Sequence, residues 1–356
     1  MIIRCQSYPG IDISTTQTVT DRPSASSTTN PLSTLLGTPL VNNEDAQATI
    51  TAAPATLVTD PLRFTLPTPG ALPVSSWRPA LYPVPWALSS LDHFFFTRPV
   101  TADEVNWPLP DYRYGNAEFT LGIPHTGVDI VAPAGTEVLA TGAGTVVWSG
   151  FGLFNGFEDP DDPYGIAVAI QHDFGYEGNP LFTVYAHMSE VKVARGQRVQ
   201  LGDVVGLVGE TGETTGPHLH YEVRLGGNTY FNSVNPELWM SPPQGWGLLV
   251  GRVMSTGSAL LESHEVRITS LETNRRWYVQ TYGTIDVINK DKNYRENFVL
   301  SGLPAGIYEI YIPYLGSEHR YGIRIYPGAI SFFTYRGFNG FSTSKPLGIL
   351  PKSMPR

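Results

Sequence analysis

The chain has 356 residues, which is enough for about two domains, and a formal net charge of -9. This acidic balance argues against nucleic acid as a partner, which requires a basic surface, and against electrostatic capture by anionic membranes. The single cysteine, Cys5, excludes an internal disulfide framework. With 36 glycines, 30 prolines and 15% charged residues, the composition favours strands and turns over helices.

The N-terminal part of the chain divides into two segments of different composition. Residues 11–60 contain no aromatic residue and are dominated by Ser, Thr, Pro and Ala, so they cannot bury enough apolar surface to offset the entropy of ordering. We therefore predict a disordered leader over residues 1–63. Residues 64–110 are rich in Trp, Phe and Pro. Because exposing so many aromatic side chains is costly, we predict an extended segment that packs them on the next domain.

Four of the eight histidines and one aspartate lie in three short motifs, HTGVD (125–129), YAHM (185–188) and PHLH (217–220). Neutral imidazoles and one carboxylate are the ligands of a catalytic zinc ion, which takes three protein ligands and keeps one position open for water. Two histidines would remain to handle protons near neutral pH. The motifs together predict a zinc-dependent hydrolase.

The first motif has the residue types of a strand. It contains β-branched residues and a glycine and stops at Pro133. We therefore expect His125, Gly127 and Asp129 on one face of a strand. Gly127 would leave room between its two polar neighbours.

The last motif also follows strand periodicity, because His218 and His220 stand two residues apart. Glu222 and Arg224 continue in the same phase. We therefore predict that this strand face lines a groove rather than a core. The other four histidines are interpreted as surface residues or satisfied core residues.

The three motifs and their flanks resemble the lysostaphin/LytM-like zinc endopeptidases, which cut peptidoglycan cross-bridges. The flanking sequences GVDIVAPAGTEVLATGAGTVV and GQRVQLGDVVGLVGETGETTGPHLHYEV carry the resemblance, which covers about residues 112–239. It implies a mostly β fold, in which residues 111–243 form an antiparallel-sheet peptidase domain with an active-site groove.

The resemblance also implies a role for each motif residue. The zinc ligands would be His125, Asp129 and His220, and the catalytic pair would be His187 and His218. One of that pair would accept a proton from the zinc-activated water and the other would stabilise the oxyanion; their order stays open. The substrate would be a peptidoglycan peptide. Both glycine–glycine bridges and bonds between D-alanine and a diamino acid occur as targets in this family.

The same sequence allows two alternatives to a catalytic role. Degenerate relatives bind the wall or activate a separate hydrolase, but they characteristically lose ligands, and this chain keeps all five side chains. A lipoyl- or biotinyl-type carrier hairpin over residues 191–206 is disfavoured because no lysine stands at its tip, residues 200–203.

Two loops of the predicted peptidase domain suggest other sites more weakly. The glycine-rich run 209–216 lacks the Gly-Lys-Ser/Thr ending of a phosphate loop, so we interpret it as a tight loop that leads into the PHLH strand. The acidic run 157–163 lacks the ligand periodicity of a calcium loop and is interpreted as a solvated groove rim. The nearby aromatics either form substrate walls or fold this loop on itself; they are Phe151, Phe154, Phe157 and Tyr164.

The C-terminal part, residues 245–346, alternates in strand fashion, with turn residues between the strands. It resembles, more loosely, a transthyretin-like or carboxypeptidase-regulatory β-sandwich. That resemblance implies a small accessory domain, for which wall binding and structural support are both open. Residues 347–356 are interpreted as a tail, and the oligomeric state is left open.

The location of the protein is predicted from its expected substrate. The N-terminal residues MIIRCQS contain no apolar stretch of signal-peptide length, and no stretch reaches the roughly 18 apolar residues of a membrane span. Hydrolysis of cross-bridges takes place outside the membrane, and the Ser/Thr/Pro leader resembles the stalks of exported proteins. We therefore predict an extracellular or cell-envelope location.

Overall fold

A computed structural model describes residues 81–100, 112–115, 124–283 and 287–344, all of which belong to one unit, Leu57–Arg356. The strands in these residues are β1 Val128–Val131, β2 Glu137–Leu139, β3 Gly144–Gly150, β4 Ile166–Tyr176, β5 Asn179–Val191, β6 Arg198–Val199, β7 Val204–Val208, β8 His218–Leu225, β9 Ser233–Val234, β10 Trp246–Met254, β11 Glu265–Ser270, β12 Arg276–Gln280, β13 Phe298–Pro304, β14 Gly306–Tyr314, β15 Ser317–Ile325, β16 Ile330–Arg336 and β17 Phe341–Ser342. Helical structure in the described residues consists of the 3-10 turns Tyr230–Asn232, Pro236–Leu238 and Gly337–Asn339. No helix among them is both long and apolar enough to cross a membrane. The predicted leader, residues 1–63, and the tail, 347–356, lie outside the described residues.

The first sheet is antiparallel and contains β1 to β9 in the order β1-β8-β5-β4-β3-β6, with β7 joining β2 to β5 and β9 lying beside β8. Its central strands β4 and β5 are rich in Val, Ile, Ala and aromatic residues, which suit a pleated surface covered on both sides. Their inward side chains form a core with those of β8, in which Ile170, Tyr185 and Leu219 are fully buried. The predicted mostly β, antiparallel-sheet fold is therefore confirmed.

Residues 81–100, the described part of the aromatic segment, lie against this sheet. The backbone N–H groups of Phe95 and Phe96 donate to the Trp239 carbonyl at 2.9 and 3.0 Å. His93 packs edge-on against the Trp239 ring, with 4.2 Å between ring centroids. Trp86 Nε1 donates to the Gly328 carbonyl of the C-terminal domain at 2.9 Å. The segment thus contacts both of the larger parts of the chain.

The second domain is a β-sandwich of two four-stranded sheets, β13-β10-β16-β17 and β12-β11-β14-β15. One core joins the two sheets, with Val253 and Phe298 from the first and Ile268 and Ile310 from the second. All pairs are antiparallel except β10 with β16, which are parallel. The predicted small β-sandwich is confirmed.

Candidate metal centre

Three of the motif side chains meet at the β1–β8 pair. The strand predicted for the whole first motif begins only at Val128, so His125 lies just before β1. Asp129 in β1 pairs directly with His220 in β8. His125 Nε2 lies 3.0 Å from Asp129 Oδ1 and 2.9 Å from His220 Nδ1. The third distance, between His220 Nδ1 and Asp129 Oδ1, is 2.9 Å. All three side chains are buried, so three polar atoms form a nearly equilateral triangle that is shielded from solvent.

The outer hydrogen bonds of this triangle determine where the ring protons are. His125 Nδ1 lies 3.1 Å from the Arg113 carbonyl, which can only accept, so Nδ1 carries the proton and Nε2 presents a lone pair. His220 Nε2 lies 3.0 Å from the Glu222 carboxylate, so its Nδ1 is likewise a lone-pair acceptor. Two imidazole lone pairs and a carboxylate therefore face one another. Such a set repels itself unless a cation lies between its members.

The shifts in pKa agree with a site built for a cation. In the metal-free chain a proton takes the place of that cation: burial disfavours protonation of His220, but the hydrogen bonds of the protonated ring to Asp129 and Glu222 outweigh burial and raise the pKa of His220 to about 9. Burial alone would raise the pKa of Asp129, yet the positive charge and hydrogen bonds of His125 and His220, when these rings are protonated, hold it well below its usual value. A positive charge at this point is therefore favoured from every side.

The donor set fits zinc. Nitrogen and oxygen ligands bind zinc at about 2.0–2.1 Å in a tetrahedron, which places ligand atoms about 3.3–3.4 Å apart. The observed separations of 2.9–3.0 Å need to widen by a few tenths of an ångström. Gly127 leaves room for this arrangement, because a Cβ atom there would lie 2.8 Å from His220 Nε2.

A buried network behind His220 fixes the ring from the side away from the triangle. Glu222 Oε1 accepts from His220 Nε2, from Thr126 Oγ1 at 2.6 Å and from the Tyr164 hydroxyl at 2.6 Å. Its Oε2 accepts from Arg224 Nε at 2.6 Å. Burial disfavours the Glu222 carboxylate, but the charge of Arg224 and the hydrogen bond from His220 keep its pKa below the usual value. Glu222 is thus an ionised acceptor that holds one tautomer of a candidate ligand.

This network corrects one prediction. Glu222 and Arg224 do not line a groove, because Glu222 is fully buried and Arg224 is 2% exposed. Tyr164 and Thr126, from two other parts of the chain, cover that half of the strand face. The phase of Glu222 with His220 was a usable signal in the sequence, whereas nothing in the sequence assigned Tyr164 or Thr126 to the network.

His187 and His218 lie side by side next to the triangle, with 4.7 Å between ring centroids. His218 Nε2 is 3.4 Å from Asp129 Oδ2 and, among the described residues, has no hydrogen-bond partner although it is buried. The glycine-rich loop 209–216 orients both rings. The Thr211 carbonyl accepts from His187 Nδ1 and the Gly216 carbonyl from His218 Nδ1, each at 2.8 Å. Both Nε2 atoms are left as lone pairs available for proton transfer.

His187 has two further unusual properties. Its backbone φ of 59° lies in the left-handed region, which costs a non-glycine residue free energy and is frequent at functional sites. Burial, together with the neighbouring histidines His220 and His218, lowers the pKa of His187 to about 3 in the metal-free chain. The ring is therefore a neutral acceptor near pH 7.

The acidic loop beside the site is organised by Asp162. This residue is fully buried, and its carboxylate accepts from the backbone N–H groups of Phe154, Asn155 and Tyr164 at 2.7–2.9 Å. The interpretation of the whole run as a solvated rim is therefore wrong for Asp162, which closes the loop on itself. Tyr164 points inward, whereas Phe157 is fully exposed and Phe154 packs edge-on against Tyr230.

The structure brings all five motif residues together and leaves the remaining histidines elsewhere. His93 and His172 are buried and hydrogen-bonded to backbone carbonyls. His264 and His319 lie in the sandwich domain. The interpretation of these four as surface or core residues agrees with their positions.

Comparison with known proteins defines the class of this domain. Residues 123–236, about a third of the chain, match the family model of Peptidase family M23. The matched segment contains β1 to β9 and all five motif residues. It is a peptidase M23 domain, as the resemblance to lysostaphin/LytM-like enzymes implied.

Relatives with similar sequences are named as peptidoglycan enzymes. Over 112 residues the chain is 43% identical to the DD-carboxypeptidase/endopeptidase Mpg of Neisseria meningitidis, which covers 32% of this chain and 22% of the relative. Over 105 residues it is 42% identical to the peptidoglycan DD-endopeptidase ShyA of Vibrio cholerae, with 29% and 21% covered. The match thus spans about a fifth of the length of these relatives.

One similar solved structure is the catalytic domain of the antimicrobial peptidase lysostaphin from Staphylococcus simulans. The two chains are 28% identical with a TM-score of 0.30, and the match covers 35% of this chain and 86% of that domain. A zinc-containing peptidase from Vibrio cholerae matches with 28% identity and a TM-score of 0.30, covering 39% and 38%.

Proposed function

We propose that this protein is a zinc-dependent endopeptidase that hydrolyses peptide cross-links of peptidoglycan. The observation that carries the proposal is the convergence of three lone-pair donors, from His125, Asp129 and His220, in a buried triangle beside two further histidines. These three residues would hold the ion. The M23 match and the names of the relatives support the reaction class.

The chain's own residues divide the remaining work. A zinc ion held in the triangle supplies a Lewis acid that lowers the pKa of a bound water to about 7 and polarises a carbonyl. His187 and His218 present Nε2 lone pairs to the same space, because backbone carbonyls hold both Nδ1 protons. One ring would accept the proton of the attacking water at its Nε2, and the other, when its Nε2 has taken a proton from solvent, would donate that N–H to the developing oxyanion. Since the two rings have the same tautomer, the geometry gives either of them either role.

The relatives also favour one kind of bond. Both are named for DD-endopeptidase activity, which denotes a bond between residues of D configuration. We propose D-alanyl cross-links rather than glycine bridges as the substrate. Because peptidoglycan lies outside the cytoplasmic membrane, the proposal includes a cell-envelope or extracellular location.

Digestion of purified peptidoglycans tests the function. The full chain loaded with zinc is incubated with walls that have direct D-alanyl cross-links and with walls that have glycine bridges, and the products are identified by mass spectrometry. We expect cleavage of the direct cross-links, its loss on chelation and its return on addition of zinc. Binding to walls without cleavage of either type, by protein shown to hold zinc, would favour the non-catalytic wall-binding alternative.

A further inference from the structure

A short segment outside the M23 match is bonded to the ligand-bearing strand. This segment, residues 112–115, is called the strap. Three hydrogen bonds join them: Gly115 N to the His125 carbonyl (2.7 Å), Asp129 N to the Tyr112 carbonyl (3.0 Å) and His125 Nδ1 to the Arg113 carbonyl (3.1 Å). The last of these sets the tautomer of His125, so the position of the strap decides whether Nε2 faces the triangle.

The side chain of Arg113 connects the strap to the second domain through Glu237. Its guanidinium Nη1 forms an ion pair with Glu237 Oε2. The same oxygen accepts from Ser301 N at 2.9 Å and from Ser301 Oγ at 2.5 Å. All three residues are buried, and Ser301 belongs to β13 of the sandwich. A continuous chain of contacts therefore runs from the sandwich through Glu237 and Arg113 to His125.

The rest of the strap contacts both the peptidase sheet and the second domain. The Tyr114 hydroxyl accepts from Asn289 N at 2.8 Å and donates to the Ser233 carbonyl at 3.0 Å. Gly115 lies so close to Tyr282 that a Cβ atom there would be 2.5 Å from the Tyr282 Cβ. The strap thus lies between the peptidase sheet and the loops of the second domain. Both residues of the Arg113–Glu237 pair lie outside the matched residues 123–236.

We propose that the C-terminal sandwich is a positioning element for the metal centre. Ser301 fixes Glu237, Glu237 fixes Arg113, and the Arg113 carbonyl fixes the ring of His125 with Nε2 toward the other ligands. Arg113, Glu237 and Ser301 are positioning residues that do not touch the metal. Hydrogen-bond partners of metal-binding histidines orient the ring and contribute about 10- to 100-fold to metal affinity or activity. The inference rests on the proposed function in that His125 is taken as a ligand.

The test uses the full chain with Glu237→Gln and Ser301→Ala. Glu237→Gln keeps the volume and removes the charge that holds Arg113. Ser301→Ala removes one donor and keeps the Ser301 backbone bond. The control is Glu309→Gln, the same change in an exposed ion pair with Arg320 (2.8 Å) on the same sandwich. Zinc affinity is measured by competition with a chromogenic chelator, and the His125 ring is followed by long-range proton–nitrogen NMR on metal-free protein.

We expect Glu237→Gln to lower zinc affinity at least 10-fold and to remove the single-tautomer signature of His125. Ser301→Ala should lower affinity by about two- to tenfold, the equivalent of one hydrogen bond. Glu309→Gln should change neither quantity. A folded Glu237→Gln protein with wild-type zinc affinity and an unchanged His125 spectrum would overturn the proposal; if that variant does not fold, unchanged values in Ser301→Ala would do so. Failure of the wild type to bind zinc would refute the proposed function instead, and the His125 spectra would still decide the positioning role.

Discussion

Gly127 separates the candidate ligands, and adding a single methyl group there should damage the metal centre. A Cβ atom at this position would lie 2.5 Å from the Tyr221 carbonyl oxygen and 2.8 Å from His220 Cε1 and Nε2. Ordinary contact begins near 3.4 Å, so the His220 ring has to retreat by about 0.6 Å. Metal–ligand distances tolerate deviations of about 0.2 Å. Gly127→Ala should therefore lower zinc affinity at least 10-fold, the loss expected when a metal-binding side chain is no longer correctly oriented. The added methyl group should also lower the free energy of unfolding by about 1–3 kcal/mol through overpacking.

The assay combines chelator competition for zinc affinity with chemical denaturation and kcat/KM on a peptidoglycan fragment. Gly322→Ala is the control, because it makes the same change in β15, where a Cβ atom meets no atom within 4 Å. The control should retain wild-type zinc affinity and activity. If Gly127→Ala binds zinc and turns over within twofold of the wild type, the packing argument for the triangle is refuted.

Three further changes test the surrounding chemistry. Glu222→Gln should lower zinc affinity by about 10- to 100-fold and destabilise the fold by about 3–5 kcal/mol, because it leaves Arg224 buried without its charge partner; zinc titration and denaturation measure both. His187→Ala should lower kcat by about 10²- to 10⁴-fold while zinc stoichiometry is retained, as elemental analysis and steady-state kinetics will show. Burial, and then the charge of Asp291, raise the pKa of Glu296 to about 7 from its ordinary 4.5. The contribution of Glu296 to the free energy of unfolding is fully present below pH 4.5 and is lost as pH rises through 7, by about 3 kcal/mol at most. Glu296→Gln should therefore flatten the pH dependence of the unfolding free energy between pH 5 and 8.

Each of these changes has an outcome that would contradict it. Glu190→Gln removes a carboxylate from an exposed pair with Lys192, so its unfolding free energy should stay within about 1 kcal/mol of the wild type. Equal effects of Glu190→Gln and Glu222→Gln would remove the argument for the buried network. Loss of zinc in His187→Ala, or in His218→Ala, would contradict the proposed division between ligands and proton-handling residues. Parallel pH profiles for wild type and Glu296→Gln would show that Glu296 does not titrate in this range.

Strand alternation determined much of the candidate site from the sequence alone. Residues two apart on a strand share a face, so the common face of His218 and His220 in β8 follows from local geometry. The strand predicted for the first motif begins only at Val128, so the alternation did not hold for His125 and Gly127. Turn residues and alternation, which are also local signals, predicted a chain rich in strands. The antiparallel-sheet peptidase domain and the sandwich were implied by the two family resemblances.

Contacts between distant segments decided the rest. Whether Glu222 lines a groove or lies buried depends on Tyr164 and Thr126, which reach it from two other parts of the chain, and periodicity carries no information about which element covers a face. The tautomers of the candidate ligands depend on single acceptors, the Arg113 carbonyl for His125 and the Glu222 carboxylate for His220. Strand phase in the sequence therefore determined which side chains of one strand share a face, and the family resemblance implied which of them meet. Only the tertiary structure decided which ring atoms face the metal, because hydrogen bonds across the fold fix each proton.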